Sequence, residues 1–382
     1  MLVANKSGTD LDTLEFNYGG TWMAQPCDIR KLPGTRAVDA IVGQGYFPVI
    51  TCLGGNELLM AYRAGAAHMG LGGRLDVVRS VDGGLNWSAP VTVADSERDD
   101  RNPALGLAPD GTLVLAYHWQ GSYDDEGAWK PELGRADTRV VFSKDGGHTW
   151  TGDDLIDFTP INGASPFGKI FTVDGVMHML IYGGSPCCEA GAGTVSVGPA
   201  STPTYILRSR DNGRSWGDPT LVALGLNESD AAILPDGRWL FVARSEDRAE
   251  QALYACVSED GGYTWRNAGR VTDAKEHPPD ITLMSNGWLL LLFGRRHPPF
   301  GVEGLISRDG GMTWDDRRLV LDDSLPGGDI GYPSTARLED GRLVTAYYTA
   351  GTAERKWEMF RAADVACKVV SYDESSLIDH WS

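Results

Sequence analysis

The sequence is poor in positive charge. It has 34 Lys and Arg residues against 52 Asp and Glu residues in 382 positions, which gives a formal net charge of −18. Nucleic acids require a basic surface, so this imbalance argues against a nucleic acid as the partner. The same charge favours solubility and would repel a polyanion unless the binding site itself is locally positive.

Long hydrophobic runs are also missing. No stretch approaches the roughly 20 apolar residues of a membrane span, so we expect no membrane partner. The first ten residues, MLVANKSGTD, lack the basic and apolar regions of a signal peptide. We therefore expect a cytoplasmic protein if this N-terminus is native, and a secreted one if the sequence has been trimmed.

Cysteine is scarce as well. The six cysteines form no C-x-x-C motif and no other spacing typical of a metal site. We interpret the adjacent Cys187 and Cys188 as ordinary thiols rather than as a redox pair. No feature demands a metal or an organic cofactor, although the acidic loop at residues 124–126 could hold calcium.

Glycine and tryptophan are plentiful, with 48 and 12 residues. Many of them belong to a repeated S-x-D-x-G-x-x-W pattern, and each copy follows an alternating apolar run that reads as a strand. The carboxylate and the glycine of the pattern are typical of a tight turn, and the tryptophan is expected to pack into the core. We call each copy of this pattern a box. The five boxes span Ser80–Trp87, Ser143–Trp150, Ser209–Trp216, Ser258–Trp265 and Ser307–Trp314.

A second repeat is interleaved with the first. Six short strands lead into hairpin turns, each followed by an apolar strand. These turns lie at Gly55–Asn56, Asp110–Gly111, Asp174–Gly175, Asp236–Gly237, Asn286–Gly287 and Asp340–Gly341. Six hairpins, five of them followed by a box hairpin, predict an all-β fold, a six-bladed β-propeller of four-stranded antiparallel blades. We expect a single domain over residues 1–382, with the N-terminal segment completing the last blade.

This topology predicts where the functional site lies. The start of the first strand and the end of the second strand of each blade share one face, whereas the hairpin and box turns share the other. We therefore interpret the boxes as scaffold. The positions eight residues before each hairpin turn are Phe47, Asn102, Pro166, Glu228, Pro278 and Tyr332. The positions eight residues after it are Arg63, His118, Tyr182, Arg244, Gly294 and Tyr348.

The predicted face is rich in groups that suit an anionic sugar. Arg295 and Arg296 follow Gly294 directly, and Arg101 precedes Asn102. Arginine can bind a carboxylate through two parallel hydrogen bonds, while tyrosine and glutamate can transfer protons or attack carbon. We expect a carbohydrate substrate, bound by arginine and histidine side chains. The candidate substrate-binding residues are Arg63, Arg101, His118, Arg244, Arg295 and Arg296.

Two longer segments resemble the sialidase (neuraminidase) superfamily, and the likeness covers nearly the whole chain. NESDAAILPDGRWLFVARS, residues 227–245, is similar to the segment that carries the catalytic Glu and the second Arg of the carboxylate-binding triad. DIGYPSTARLEDGRLVTAYY, residues 329–348, is similar to the segment with the nucleophilic Tyr. The resemblance implies a propeller glycosidase in which Tyr332 is the nucleophile, Glu228 its base and Arg244 a ligand of the sugar carboxylate.

The sequence departs from that family at two points. Sialidases have Phe-Arg-Ile-Pro in the first strand, but here the tetrapeptide is Gly45–Pro48, so the first Arg of the triad is missing. The Asp that serves as acid and base in that family is also missing from the loop, because the only Asp of RAGAAHMGLGGRLD, Asp76, lies in the following strand. His68 in this loop, or Asp100 from the next blade, is the candidate proton donor. Arg295 or Arg296 is expected to replace the third Arg.

Three functions are therefore considered. The first is a glycoside hydrolase that releases an acidic or other terminal sugar. The second is a polysaccharide lyase or a divergent glycosidase, with His68, His118, Tyr182 and Arg63 as its working residues. The third is a carbohydrate-binding propeller without catalytic activity.

Overall fold

A computed structural model describes residues 25–156, 163–184, 194–199, 202–351 and 365–381. Within these residues the chain forms six small, mainly antiparallel sheets arranged as a six-bladed β-propeller, which confirms the predicted fold class. Cys187 and Cys188 lie outside the described residues. The single domain over residues 1–382 stays a prediction.

The first three blades follow one another along the chain. Blade one contains β3 (Tyr46–Gly54), β4 (Glu57–Ala64), β5 (Arg74–Ser80) and β6 (Val91–Ala94). Blade two contains β7 (Asp99–Leu107), β8 (Leu113–Gln120), β9 (Ala136–Ser143), β10 (Thr151–Leu155) and the short parallel β12 (Gly168–Lys169). Blade three contains β11 (Ser165–Pro166), β13 (Phe171–Val173), β14 (Val176–Tyr182), β15 (Val195–Ser196), β16 (Pro203–Ser209) and β17 (Gly217–Leu224).

The last three blades incorporate the N-terminal strands. Blade four contains β18 (Leu226–Ile233), β19 (Trp239–Ser245), β20 (Leu253–Ser258) and β21 (Arg266–Arg270). Blade five contains β22 (Glu276–Leu283), β23 (Leu289–Arg295), β24 (Gly301–Ser307), β25 (Leu319–Asp322) and the parallel β1 (Cys27–Asp28). Blade six contains β26 (Ile330–Arg337), β27 (Arg342–Ala350), β28 (Val365–Asp373) and β2 (Arg36–Val42). One α-helix, α1 (Glu374–Trp381), follows β28, and 3-10 turns cover Ile29–Lys31 and Pro131–Leu133.

The core is a ring of apolar layers between neighbouring blades. Each of six buried clusters draws its side chains from two adjacent sheets. Met60 of blade one and Val344 of blade six share one such layer, and Leu240 of blade four and Leu291 of blade five share another. Because the first and last blades also share a layer, the ring is closed and the inner blade faces are all covered.

The box turns lie at the same end of each blade as the hairpin turns. In blade one, Leu58, just after the hairpin turn, pairs with Ser80, the first residue of the box. The Ser80 hydroxyl donates to Asp82 Oδ1 over 2.8 Å and accepts the Gly84 N–H over 2.9 Å. Gly84 has φ +89°, which suits glycine, and its carbonyl accepts the Trp87 indole N–H over 3.0 Å. The boxes thus hold the blade together at the end away from the candidate site.

The other end of the innermost strands carries a recurring irregularity. The pairing of the first two strands slips in five blades, between residues 46 and 49, 101 and 104, 226 and 229, 276 and 279, and 331 and 334. In three of these slips a residue other than glycine has positive φ, namely Phe47, Asn102 and Tyr332. A bulge of this kind turns a side chain away from the regular alternation of the strand. The bulges therefore direct side chains toward the mouth of the propeller.

Within the described ranges, no helix is long and apolar enough to cross a membrane. The same part of the chain contains no group of three or more His, Cys, Asp or Glu side chains arranged to hold a metal ion. Cys27, Cys52, Cys256 and Cys367 have free thiols.

Candidate active site

Aromatic side chains line the mouth of the propeller. Phe47 and Tyr332, both at bulges, have ring centroids 4.8 Å apart, and Tyr348 lies 5.5 Å from each of them. Tyr46 and Phe167 complete this buried cluster. The aromatic floor is apolar, so the few polar groups that reach it act in surroundings where electrostatic interactions are strong.

Tyr332 and Glu228 meet across the mouth. The Tyr332 hydroxyl donates a hydrogen bond to Glu228 Oε1, although the two residues are 104 positions apart. Arg244 Nη1 lies 2.7 Å from Glu228 Oε2. Asn227 Oδ1 accepts from Arg244 Nε over 2.9 Å and from the Glu228 N–H over 2.8 Å. The structure thus brings together three of the sequence-predicted site residues.

Burial controls the protonation of the phenols in this group. Burial, followed by the negative charge of Glu228, raises the pKa of Tyr332 well above its ordinary value. The same two causes raise the pKa of neighbouring Tyr182 to about 12. Tyr332 is therefore a neutral phenol at neutral pH, and it can act as a nucleophile only if a base removes its proton in the same step. Glu228 is in hydrogen-bond contact and can be that base.

Arg296 has a guanidinium edge without partners among the described residues. Its Cζ lies 5.2 Å from the centroid of the Tyr332 ring. Its Nε and Nη2 are buried and have no hydrogen-bond partner among the described residues. Nε and Nη2 form one edge of the guanidinium, the edge that can hold both oxygens of a carboxylate. His277 Nδ1 is also buried without a partner, and burial, then Arg296 and Arg244, lowers the pKa of His277 well below its ordinary value.

His68 reaches the aromatic cluster from the loop after β4. Its ring centroid lies 5.0 Å from that of Phe47, in an edge-on arrangement. Its Nδ1 lies 3.0 and 3.1 Å from the two carboxylate oxygens of Asp329. Asp329 Oδ1 also accepts the Tyr348 hydroxyl over 2.5 Å. His68 and Tyr332 thus both pack against the Phe47 ring.

Two other sequence-predicted residues do not reach this cluster. Asp100 is fully buried, and its carboxylate accepts the Ser96 N–H over 2.6 Å and the Ser96 hydroxyl over 2.9 Å. Burial raises the pKa of Asp100, but its contacts are those of a turn. Arg295 turns away from its neighbour Arg296 and pairs with Glu303 over 2.6 Å. Successive residues of a strand point to opposite faces, which explains the difference between the two arginines.

Arg63 lies under the site rather than in it. Its side chain is completely buried, and Nη2 lies 2.6 Å from Asp99 Oδ1. The guanidinium also donates to the carbonyl oxygens of Ala66, Ala67 and Gly70. Arg63 therefore holds the loop that carries His68 and has no edge left for a substrate.

Arg101 and His118 border the cluster. Arg101 Nη1 is 3.7 Å from Asp99 Oδ2, and its Cζ is 5.7 Å from the Phe47 ring centroid. His118 Nδ1 lies 3.2 Å from the Ala164 carbonyl. Burial, then the charge of Arg101, lowers the pKa of His118 to about 4, so its imidazole is neutral at neutral pH. A direct role for His118 in binding an anion has no support from these contacts.

Sequence reasoning missed two side chains of the site, Asp329 and Asn227. Both lie inside the segments 329–348 and 227–245 that resemble sialidases, so their places in the chain were marked. Their contacts were not predicted, because Asp329 contacts His68, which lies 261 positions away in the sequence. The sequence signal that could have indicated Asp329 is its position, since it is a carboxylate three residues before Tyr332.

Comparison with known proteins identifies a family by sequence. The profile of the family described as BNR repeat-like domain matches residues 56–345. The sequence matches no curated protein.

Solved structures of the same fold include sialidases. A protein of unknown function from Dyadobacter fermentans is 20% identical, with a TM-score of 0.67 over 89% of this chain and 100% of that one. The intramolecular trans-sialidase from Ruminococcus gnavus, in complex with oseltamivir carboxylate, is 13% identical, with a TM-score of 0.63 over 91% and 98%. The Trypanosoma rangeli sialidase, in complex with 2,3-difluorosialic acid as a covalent intermediate, is 13% identical, with a TM-score of 0.64 over 94% and 60%. At these identities the likeness shows the fold alone.

Proposed function

This chain belongs to the BNR repeat-like domain family, and from that premise we propose that it is a glycoside hydrolase that releases a terminal, acidic sugar. The observation that carries the proposal is the contact of the Tyr332 hydroxyl with Glu228, which Arg244 flanks at 2.7 Å. A buried phenol that donates a hydrogen bond to a buried carboxylate can become a nucleophile when that carboxylate takes its proton. The covalent intermediate of the similarly folded Trypanosoma rangeli sialidase is in keeping with this chemistry.

The first half of the reaction forms a bond between Tyr332 and the sugar. The phenol oxygen attacks the anomeric carbon while Glu228 takes the phenol proton. The glycosidic C–O bond breaks, and the leaving oxygen takes a proton from the imidazolium of His68. A neutral phenol suits a sugar whose anomeric carbon bears a carboxylate, because that carboxylate would repel an anionic nucleophile.

The second half returns the enzyme to its starting state. Neutral His68 removes a proton from water, and the water oxygen attacks the anomeric carbon. The bond to Tyr332 breaks, and Glu228 returns its proton to the phenol oxygen. Two displacements at one carbon predict that the anomeric configuration is retained.

Arg296 supports the choice of an acidic sugar. A buried guanidinium edge without partners costs free energy in the empty protein, and a substrate carboxylate can remove that cost. Arg244 is already engaged by Glu228 and Asn227, so Arg296 is the principal ligand of the substrate anion in this proposal.

The test is turnover of fluorogenic glycosides by the wild-type protein and Tyr332→Phe. The panel contains 2-keto sugar acids, hexuronic acids and neutral hexoses, each with the same leaving group. We expect hydrolysis of an acidic member, and a loss of kcat of at least about a thousandfold in Tyr332→Phe. Tyr263→Phe is the matched control, because Tyr263 is half exposed in a box turn.

Three results would overturn the proposal: Tyr332→Phe with full activity, a preference for neutral hexoses, or binding of acidic glycans without turnover. An unsaturated product that absorbs ultraviolet light would instead indicate a lyase. The lyase residues named from the sequence are not brought together, since Arg63 is enclosed under the loop and His118 binds a carbonyl.

A further inference from the structure

We infer that Asp329 is a positioning residue that fixes His68 as the Nδ1–H tautomer, so that Nε2 is the nitrogen that exchanges a proton with the substrate. The inference rests on the proposed function and names a residue to which the sequence analysis gave no role. It concerns the stretch just before Tyr332, where β26 begins.

The contact geometry is the first support. Both oxygens of Asp329 lie within 3.1 Å of His68 Nδ1, and Tyr348 donates its hydroxyl to Oδ1 over 2.5 Å. Side-chain exposure is 17% for His68 and 10% for Asp329, so water competes little for this contact. Three elements thus converge here: the loop after β4, the start of β26 and the end of β27.

The charge on Asp329 is the second support. Burial opposes ionisation, but His68, Arg296 and the Tyr348 hydroxyl together lower the pKa of Asp329 below its ordinary value. An ionised carboxylate can only accept hydrogen bonds. Both of its partners must therefore donate, which places a proton on His68 Nδ1 in the neutral as well as the charged imidazole.

The loop that carries His68 is held from below. Arg63 donates to three carbonyl oxygens between residues 66 and 70, and Asp99 pairs with Arg63. The Gly70 N–H adds a hydrogen bond to Tyr123 over 3.1 Å. Asp329 therefore acts on a ring whose backbone is already fixed, as positioning of a catalytic group requires.

Two aromatic rings pack against the imidazole. Phe47 and Tyr46 meet the His68 ring edge-on, at 5.0 and 5.8 Å between centroids. Asp329 and Tyr348 face His68 from blade six, and Arg296 acts on Asp329 from blade five. The Asp329 carboxylate binds the Nδ1 side of the imidazole, and Nε2 lies on the other side of the ring.

The experiment compares Asp329→Asn with the wild type by two measurements. The first is the nitrogen-15 NMR spectrum of histidine-labelled protein, with the His68 signals identified from a His68→Asn variant. We expect the wild type to show a protonated Nδ1 and an unprotonated Nε2 at high pH, and Asp329→Asn to lose this preference. A wild-type His68 with its neutral proton on Nε2 would overturn the inference without any assay of activity.

The second measurement is the separate determination of kcat and KM. An imidazole that no longer keeps its proton on Nδ1 presents the wrong nitrogen to the substrate part of the time, so Asp329→Asn should lower kcat at least about tenfold and leave KM within about twofold. Asp323→Asn, at a half-exposed carboxylate that pairs with Arg30 over 2.8 Å, should change neither constant. An Asp329→Asn protein with the wild-type kcat overturns the inference but leaves the proposed function standing. A wild type without turnover overturns the proposed function, and the NMR spectrum then decides the inference alone.

Discussion

Two buried guanidinium groups in this protein, those of Arg63 and Arg296, differ in their hydrogen-bond partners. Arg63 donates to Asp99 and to three carbonyl oxygens, so its charge is compensated within the fold. Arg296 has two buried nitrogens, Nε and Nη2, without a partner in the described part of the chain. A protein seldom tolerates buried donors without partners unless a ligand pairs with them, so the contrast supports the proposed ligand-binding role of Arg296 and a structural role of Arg63.

The first prediction concerns Asp99→Asn. Burial alone would raise the pKa of Asp99, but Arg63, Arg101 and Tyr123 hold that pKa below its ordinary value. Removing the charge leaves Arg63 buried without a counter-ion, which should lower the free energy of unfolding by about 3–5 kcal/mol. Denaturant titration measures the loss.

The control for this prediction is Asp137→Asn. Asp137 lies 3.8 Å from Arg139 at a partly exposed position, so this substitution should cost less than about 1 kcal/mol. The pH dependence gives a second check. A depressed carboxyl pKa adds stability above the unfolded value of about 4, and that stability disappears as pH falls through the folded pKa. The gap between wild type and Asp99→Asn should therefore narrow below pH of about 4.

At the level of elements, the hairpin and box turns lie at one end of the blades, and the bulges of five blades lie at the other end. Box turns are stabilised by hydrogen bonds within a few residues, as in the Ser80, Asp82 and Gly84 contacts. Bulges instead release side chains from the regular alternation, which lets Phe47 and Tyr332 meet at the mouth. One end of the blade thus contributes stability and the other carries the candidate chemistry.

The second prediction is that Asp260→Asn weakens the protein without changing its activity. Asp260 accepts the Thr264 N–H over 2.8 Å and the Thr264 and Ser258 hydroxyls over 2.7 and 2.8 Å. Partial burial works against ionisation, but these hydrogen bonds lower the pKa of Asp260 to about 2. An amide cannot accept through its nitrogen, so we expect a loss of about 1–2 kcal/mol in a thermal melt.

Glu259→Gln is the matched control for the box turn. Glu259 is exposed and reaches Arg266 only at 3.6 Å, so its substitution should change stability by less than about 0.5 kcal/mol. An Asp260→Asn protein with wild-type stability, whether or not it keeps its turnover, would show that the box is not simply scaffold.

At the level of the whole molecule, closure depends on a strand from the beginning of the chain. β2 pairs with β28 from Arg36 to Val42, so the outer strand of blade six comes from before blade one. Ile41 of β2 shares a buried cluster with Met60 of blade one and Val344 of blade six. Closing the ring this way joins its two ends with both hydrogen bonds and apolar contacts.

The third prediction is that Ile41→Ala loosens both blades that meet at the closure. Ile41 is 9% exposed, and its truncation should cost about 2 kcal/mol or more. Hydrogen exchange read by mass spectrometry should increase in blade one as well as in blade six. Val42→Ala, at a position 73% exposed, should leave exchange unchanged. Faster exchange confined to β2 and β28 would mean that closure does not couple the two blades.

The sequence alone predicted the repeated part of the fold. Strand alternation and turn chemistry are local properties, so five boxes and six hairpin turns were enough to predict a propeller with the boxes at one end. The fixed spacing from the hairpin turns then singled out Glu228, Arg244 and Tyr332. These residues do meet, because they occupy bulge or strand-end positions of the repeat.

Only the tertiary structure decided which of the remaining candidates share the site. Strand direction and bulges place Arg296 at the aromatic cluster and Arg295 beside Glu303. Residue type alone does not encode this difference. His68 contacts Asp329, 261 positions away in the sequence, because closure of the ring brings blades one and six side by side. Such contacts depend on how blades pack, and no periodicity within one repeat specifies them.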